Sequence, residues 1–442
     1  MKPLDFGRSD DPRVQAQLDR LSALSVPQGR LGLDTIRALM ERLGNPHRKL
    51  PPVFHVAGTN GKGSTCAFLR AMLEAQGYKV HVTTSPHLVR YNERIRLAGE
   101  LISDEALAAV LAEVLDVGED LGPSFFEVTI AAAFLAFSRT PADACVVEVG
   151  MGGRFDATNV LEPEALAACG IAALGLDHER FLLAPEEGVP QEPMARIAFE
   201  KAGIAKRGVP LVTIERPELE LASINGVAAR AGAALHIAKP LDGVEVGLAG
   251  THQTINASLA VAMLEHQVAL QVSPEALRTG LTSACWPARL QYLQAGPLTR
   301  IIDGCDWLLD GGHNVQAADA LARHFETHRE YRQTGTRTPR YGIVGMLEAK
   351  DWRGFIDRIA PHVCALVAVP VPGHDSAAPL DVAAYAFSCG VPIVHTSGSI
   401  EAAAHWYNSS GRPGEPIYGE VLIAGSLYLA GEALRLNDEL PD

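Results

Sequence analysis

The sequence has no long apolar run, no clustered cysteines and a deficit of positive charge, and each shortage removes a class of protein. No stretch of about 18 or more apolar residues occurs in the 442 residues, which argues against a membrane-spanning helix. The opening MKPLDFGRSDDPRVQ carries no apolar segment behind a basic tip and does not read as a secretory signal. The seven cysteines, at positions 66, 145, 169, 285, 305, 364 and 389, are dispersed, odd in number and free of any CxxC pair. That usage points to reduced thiols in a cytoplasmic protein rather than to a disulfide frame. Lys and Arg total 38 against 52 Asp and Glu, a net charge of −14 that disfavours non-specific nucleic-acid binding. An anionic substrate remains compatible, because a few aimed cations and backbone N–H groups make one cleft locally positive. Internal repeats and low-complexity segments are also missing. What remains is an ordinary globular balance, 47% hydrophobic and 20% charged, on a chain long enough for two or three domains.

From residue 50 onward short apolar runs alternate with helix-like stretches, the pattern of an α/β domain with a mostly parallel sheet. Strands are predicted at 52–58, 79–85, 142–150, 165–175 and 209–214, the fourth entered through a turn at Glu162-Pro163. Helices are predicted at 64–77, 103–117 with Ser103 as N-cap, 127–139 and 197–205. Near residue 295 the character changes. Segments 295–304 and 306–314 read as a fresh hairpin, followed by helix 315–328, strand 340–347, helix 351–361, strand 363–371, helix 399–408, strand 419–425 and a last helix from Leu427. The polar stretch 329–340 reads as a solvated loop. The expected division is 1–295, a larger α/β domain, and 296–442, a smaller Rossmann-like α/β domain.

The strongest local signal is Gly58, Thr59, Asn60, Gly61, Lys62, Gly63, Ser64 and Thr65, set between a predicted strand and a predicted helix. Glycines let backbone N–H groups approach phosphate oxygens, and a helix N-terminus adds its positive dipole end. Lys62 suits β/γ-phosphate charge, and a Ser64 or Thr65 hydroxyl suits a Mg²⁺ position. The loop departs from G-x-x-x-x-G-K-[ST] because Gly63 separates the lysine from Ser64. A second cluster, EVGMGGRFDATN (148–159), closes the predicted central strand, and Glu148 there emerges where ligands sit in open α/β sheets. Read alone, that segment also allows a plain glycine-rich loop, while His178 in LDH (176–178) reads first as a satisfied structural histidine and Lys201 in EKAGI (200–204) as a solvated helix residue.

Taken in order, GTNGKGST, TSPHLVRYNERIR (84–96), EVGMGGRFDATN, LDH, EKAGI, HQTINA (252–257), WPARLQ (286–291), DGGHN (310–314), GMLEAKD (345–351) and GSLYLAGE (425–432) resemble the folylpolyglutamate synthase/dihydrofolate synthase family of the Mur ligase superfamily. The likeness runs through nearly the whole chain from residue 30. It implies a P-loop Mur-ligase-type central domain followed by the smaller domain, acting as a monomer on ATP, L-glutamate and a folate or dihydropteroate. ATP would phosphorylate a substrate carboxylate, and the glutamate amine would attack the acyl phosphate.

Carried over by position, the resemblance places Lys62 on the ATP phosphates, and Ser64 and Glu148 on a first Mg²⁺. His178 would bind a second Mg²⁺ with Lys201, the latter as a carbamate formed with CO₂, since an ammonium cannot ligate a cation. Asn256 would lie on the adenine side, and Arg289, Asp310 and His313 would close the nucleotide site. Arg289 also suits transition-state charge. An interdomain ion pair for Arg289 and a plain turn role for His313 stay open. Thr84, Ser85, Pro86, His87, Arg90, Phe125, Phe126 and Ala157 would wall the folate pocket, although Phe125 and Phe126 fit a core as well. His313, Ser426 and Tyr428 would meet the glutamate, with Ser426 equally a helix cap.

Three departures stand out. The segment between His178 and Lys201 is longer than is usual in the family, Val315 replaces a proline after DGGHN, and Arg30 stands where bifunctional members carry an aspartate of the dihydropteroate site. Two other functions use part of the same equipment. A UDP-muramoyl Mur ligase shares the chemistry but carries a larger domain ahead of its phosphate loop. A non-ligating ATPase switch needs the loop alone and leaves LDH and EKAGI unexplained.

Overall fold

The computed structural model describes residues 9–24, 32–241, 243–327, 338–410 and 417–442. The chain separates into two compact units, one built from residues up to and including Leu248 together with His252–Trp286, the other chiefly from Pro287–Pro441. Arg30 and most of the 329–340 stretch lie outside the described residues.

The first unit is organised by an eight-stranded sheet. Its strands are β1 (Val53–Ala57), β2 (Val80–Thr83), β3 (Ile95–Leu97), β4 (Glu100–Leu101), β5 (Ala144–Glu148), β6 (Leu166–Ile171), β7 (Leu211–Thr213) and β8 (Leu235–Ile237). They lie in the order β4-β3-β2-β5-β1-β6-β7-β8, with every neighbouring pair parallel except β2–β3 and β3–β4. β1 is buried along its length, as a strand covered on both faces must be. Its side chains alternate between two cores. Val53 and Ala57 join one with Val147, Ile171 and the helix Phe125–Arg139, while Phe54 and Val56 join the other with Val146 and the helix Lys62–Ala75. The register sets Val56 opposite Glu148 and Ala57 opposite Ile171, so the carboxyl ends of β1, β5 and β6 open at one edge of the sheet.

The second unit carries a six-stranded sheet. Its strands are β9 (Gln291–Tyr292), β10 (Cys305–Leu309), β11 (Arg340–Val344), β12 (Ala365–Ala368), β13 (Ile393–Thr396) and β14 (Gly419–Ala424). The order is β13-β12-β11-β14-β10-β9, parallel apart from β9. Leu308, Val344, Leu366 and Leu422 build its core with the helices Val315–Thr327 and Trp352–Ile359.

The α/β expectation holds, with corrections in detail. The hairpin partner of β10 is Gln291–Tyr292 and not 295–304. Residues 295–304 are diverted by Gly296-Pro297, where Thr299 Oγ1 accepts from Gly296 N at 2.8 Å and a 3-10 turn forms at Thr299–Ile301. The helix expected at 127–139 begins at Phe125, because Ser124 and Glu127 form a capping box. The helix expected at 197–205 runs Pro193–Ala202, started by Pro193 and the Glu192 cap, whose carboxylate accepts from Ala195 N at 2.6 Å. The alternation also passed over the helices Glu218–Ala231, Thr251–His266, Pro274–Ser283 and Pro379–Ser388. Among the described residues no helix is long and apolar enough to cross a membrane.

Candidate active site

The phosphate loop joins β1 to the helix Lys62–Ala75, whose N-cap Gly61 has φ +81° and supplies no side-chain cap. The first-turn N–H groups therefore carry the uncapped positive end of the helix, the arrangement that receives an anion. Loop and sheet are tied together, since Thr59 N and Asn60 N donate to Ala173 O at 2.7 and 3.2 Å. Thr59 Oγ1 also donates to Gly175 O at 3.0 Å. Thr65 Oγ1 donates to Gly61 O at 2.9 Å and is thereby committed to the helix. Ser64, buried beside it, has no side-chain hydrogen bond among the described residues, which singles out its hydroxyl as the available oxygen. Gly63 is explained by packing, because a Cβ there would lie 2.9 Å from the Trp286 indole nitrogen.

At the end of β5, Glu148 is buried and 3.9 Å from Lys62 Nζ through Oε1, while its Oε2 accepts from Ser85 N at 3.0 Å. One carboxylate oxygen is thus fixed by the backbone and the other faces the lysine of the phosphate loop. Hard oxygens of this kind suit Mg²⁺ beside phosphate, so Glu148 and Ser64 fit the ion as ligands.

Lys201 is buried near the end of the helix Pro193–Ala202 and donates Nζ to Gly58 O at 2.9 Å. Burial, helped by the charge of Lys62, lowers its pKa to about 7. Gly153 is required beside it, because a Cβ would fall 2.9 Å from both Glu200 O and Lys201 O. His178 is half exposed, with φ +53°, its backbone N–H donating to Asp177 Oδ1 at 2.8 Å and its ring Nε2 3.8 Å from Asp177 Oδ2. The Asp177 charge reaches Lys201 and favours its protonated form. Among the described residues no three His, Cys, Asp or Glu side chains form a metal-holding group. A second ion therefore needs an anionic oxygen that the free amine of Lys201 does not supply.

Around the TSPHL segment, His87 and Tyr91 rings lie 5.6 Å apart, and Tyr91 meets Phe125 edge-on at 5.8 Å. Phe125 and Phe126 are half buried and pack against the core. Arg90 is exposed, whereas Arg94 is wholly buried, donating to His87 Nδ1 at 2.8 Å beneath the Tyr91 and Phe125 rings. Thr84 is buried and its N–H donates to Arg94 O at 3.3 Å; Ala157 is buried on a 3-10 turn. Asn256, on the helix Thr251–His266, donates to Gln253 Oε1 at 2.9 Å, and its amide lies against Gly61, where a Cβ would clash.

The second unit brings Arg289, Asp310 and His313 into one turn system. Asp310 accepts from Leu290 N at 3.0 Å and Gly312 N at 2.7 Å, Arg289 Nη1 donates to Ala288 O at 3.0 Å, and His313 Nδ1 is 3.1 Å from Gly311 O. Ser426 caps the helix Leu427–Leu436, accepting from Tyr428 N at 3.2 Å, and Tyr428 stacks on His374 at 3.8 Å.

Sequence reasoning missed several supports. Asp156 is buried, accepts from Met151 N at 2.8 Å and Thr158 N at 3.0 Å, and has its pKa raised by burial. Arg216 donates to Ile171 O at 2.7 Å and Ala172 O at 2.5 Å, neutralising the carboxyl end of β6 where it supports the phosphate loop. The Asp in DATN was a visible signal; Arg216 had none.

No family model matches the chain. A dihydrofolate synthase/folylpolyglutamate synthase of Bacillus subtilis is 38% identical over 326 residues, 66% of this chain and 71% of that protein. Escherichia coli FolC in complex with DHPP and ADP superposes with a TM-score of 0.80 at 28% identity, covering 96% of this chain and 97% of that one. A bifunctional folylpolyglutamate synthase/dihydrofolate synthase with Mn, AMPPNP and L-glutamate bound gives 0.78 at 28% identity, covering 98% and 99%. The chain belongs to the dihydrofolate synthase/folylpolyglutamate synthase family of ATP-dependent ligases.

Proposed function

We propose that the chain ligates L-glutamate to a folate through an acyl phosphate and accepts dihydropteroate in the same way. The observation that carries this reading is the uncapped phosphate loop with Lys62 set 3.9 Å from the buried Glu148. The relatives bound to AMPPNP with L-glutamate and to ADP with DHPP support the same substrates here. Lys62 and the first-turn N–H groups hold the phosphates, and Glu148 and Ser64 hold a first divalent ion. That ion, when bound, neutralises charge on the transferring phosphoryl group. The substrate carboxylate attacks the γ-phosphorus and ADP leaves. The glutamate amine then adds to the acyl carbonyl, loses a proton, and phosphate departs. Positioning and charge neutralisation do most of this work.

A second divalent ion at His178 and a carbamylated Lys201 belong to this proposal. The lowered pKa supports it, because only the neutral amine adds to CO₂. Arg289 would stabilise phosphoryl charge, His313, Ser426 and Tyr428 would meet the glutamate, and Thr84, Ser85, Pro86, His87, Arg90, Phe125, Phe126 and Ala157 would line the folate pocket. A monomer in the cytoplasm completes the reading. The test is ADP release with ATP, Mg²⁺ and L-glutamate, adding tetrahydrofolate or dihydropteroate in parallel. Release with both is expected. Release with tetrahydrofolate alone removes the dihydropteroate activity, and release with neither refutes the substrate assignment.

A further inference from the structure

The long segment between His178 and Lys201 is bound down by charge. Glu186, in its middle, accepts from Arg154 Nη2 at 2.6 Å and Nη1 at 3.1 Å, and from Arg196 Nη2 at 2.9 Å. Glu200 accepts on the other side from Arg154 Nη2 at 2.8 Å and Arg154 Nε at 3.0 Å, and its Oε1 is ion-paired with Arg196, 3.0 Å from Nε. Two guanidiniums and two carboxylates alternate, with Arg196 and Glu200 only 6% and 5% exposed at the side chain. Backbone contacts join the same pieces. Arg154 N donates to Glu200 O at 2.8 Å, Arg196 Nε to Leu182 O at 3.1 Å, and Asn159 Nδ2 to Gly203 O at 3.1 Å. The quartet thus links three elements: the loop 150–156, the helix turn that carries Lys201, and the segment that starts at His178.

We propose that Glu186 is a positioning residue for the divalent-ion site at Lys201 and His178. Removal of its charge leaves the buried Arg196 guanidinium and the partly buried Arg154 guanidinium sharing one carboxylate, and an unbalanced charge at a buried group is costly. Their repulsion separates the glycine loop from the Lys201 helix, and the ion's ligands lose their spacing. This rests on the functional reading above for the ion, but not for the charge quartet itself.

The test compares wild type with Glu186→Gln, Glu186→Asp and a control, Glu187→Gln, at the exposed neighbour. Amide exchange of the nucleotide-free protein is followed over 150–156 and 193–203, and Mn²⁺ binding is titrated with AMPPNP present. Glu186→Gln should accelerate exchange in both segments and weaken Mn²⁺ binding about tenfold, the size usual for losing an outer support of a metal ligand. It should also raise the Mg²⁺ needed for half-maximal ADP release, with the KM for ATP unchanged at saturating Mg²⁺. Glu186→Asp should recover part of the loss, and Glu187→Gln should match wild type. Unchanged exchange, or faster exchange with unchanged Mn²⁺ binding, overturns the proposal. Wild type that releases no ADP with folate and glutamate refutes the functional reading instead, while exchange and Mn²⁺ binding still decide the role of Glu186.

Discussion

Lys201 Nζ donates to the backbone carbonyl of Gly58 across 2.9 Å, joining the helix Pro193–Ala202 to the first residue of the phosphate loop. The contact is made by an amine whose pKa, lowered to about 7 chiefly by burial, leaves much of it neutral at physiological pH. A neutral amine is a nucleophile for CO₂. Activity in CO₂-depleted buffer should therefore be low, and bicarbonate should restore it more fully as pH rises through about 7. Lys201→Ala should lower kcat about 100-fold or more, the scale of losing a preorganised electrostatic group. Near-normal turnover in that variant would remove the carbamate from the mechanism.

The same shift has a consequence for stability. Its folded-state value lies below the unfolded value of 10.5, so between pH 7 and 10.5 the unfolded chain binds the extra proton and stability rises with pH. Below pH 7 the folded protein holds a buried ammonium and the penalty is complete. Lys201→Met, which keeps length and removes the charge, should raise the melting temperature over wild type at pH 6 and by less at pH 9. Equal gains at both pH values in CO₂-free buffer would contradict the burial argument.

Ser64 and Thr65 separate by their partners. Thr65 Oγ1 is spent on Gly61 O, so Thr65→Val should cost about 1 kcal/mol of stability and leave the Mg²⁺ requirement near wild type. Ser64→Ala should do the reverse, raising the Mg²⁺ needed for half-maximal ADP release with little change in melting temperature. A Mg²⁺ titration alongside thermal melts distinguishes the two, and an effect on metal demand confined to Thr65 would exchange their roles.

Much of the site was legible because it is written in contiguous residues. GTNGKGST declares itself between an apolar strand and a helix, and Glu148 ends a strand whose five residues are all buried. What was hidden depends on the chain returning to the same place. The hairpin at β10 is hidden because the apolar content of 295–304 outweighs Gly296-Pro297, whereas the true partner, Gln291–Tyr292, is only two residues long. Arg94, not Arg90, is the arginine that turns inward, and nothing local in TSPHLVRYNERIR distinguishes the two. Trp286 and Gly63 are more than 200 positions apart, and their contact is a property of the fold.

That contact can be tested directly. An alanine at Gly63 would place a Cβ 2.9–3.0 Å from the Trp286 ring, closer than side chains pack, so the indole or the first helical turn must move. Gly63→Ala should raise the KM for ATP and lower the melting temperature. Trp286→Leu in the same chain should recover the ATP affinity by making room, a coupling of about 1 kcal/mol or more in a double-mutant cycle. Additive losses would show that the glycine serves the phosphate itself.

In the second unit, Asp310 and Arg289 make opposite predictions although they occupy one turn system. The Asp310 carboxylate accepts from two buried N–H groups, Leu290 N and Gly312 N, and Asp310→Ala leaves both without an acceptor. The cost should be about 2 kcal/mol or more, read as a lower melting temperature with or without nucleotide. Arg289 is half buried, and its Nη1 donates only as far as the adjacent carbonyl of Ala288. Its guanidinium is therefore replaceable without orphaning a buried group. Arg289→Ala should leave the melting temperature of the nucleotide-free protein within a degree or two and lower kcat about 100-fold, with Arg289→Lys recovering little because a point charge lacks the planar fork. A large stability loss in Arg289→Ala, with kcat preserved in the folded fraction, would make that arginine structural and remove it from phosphoryl transfer.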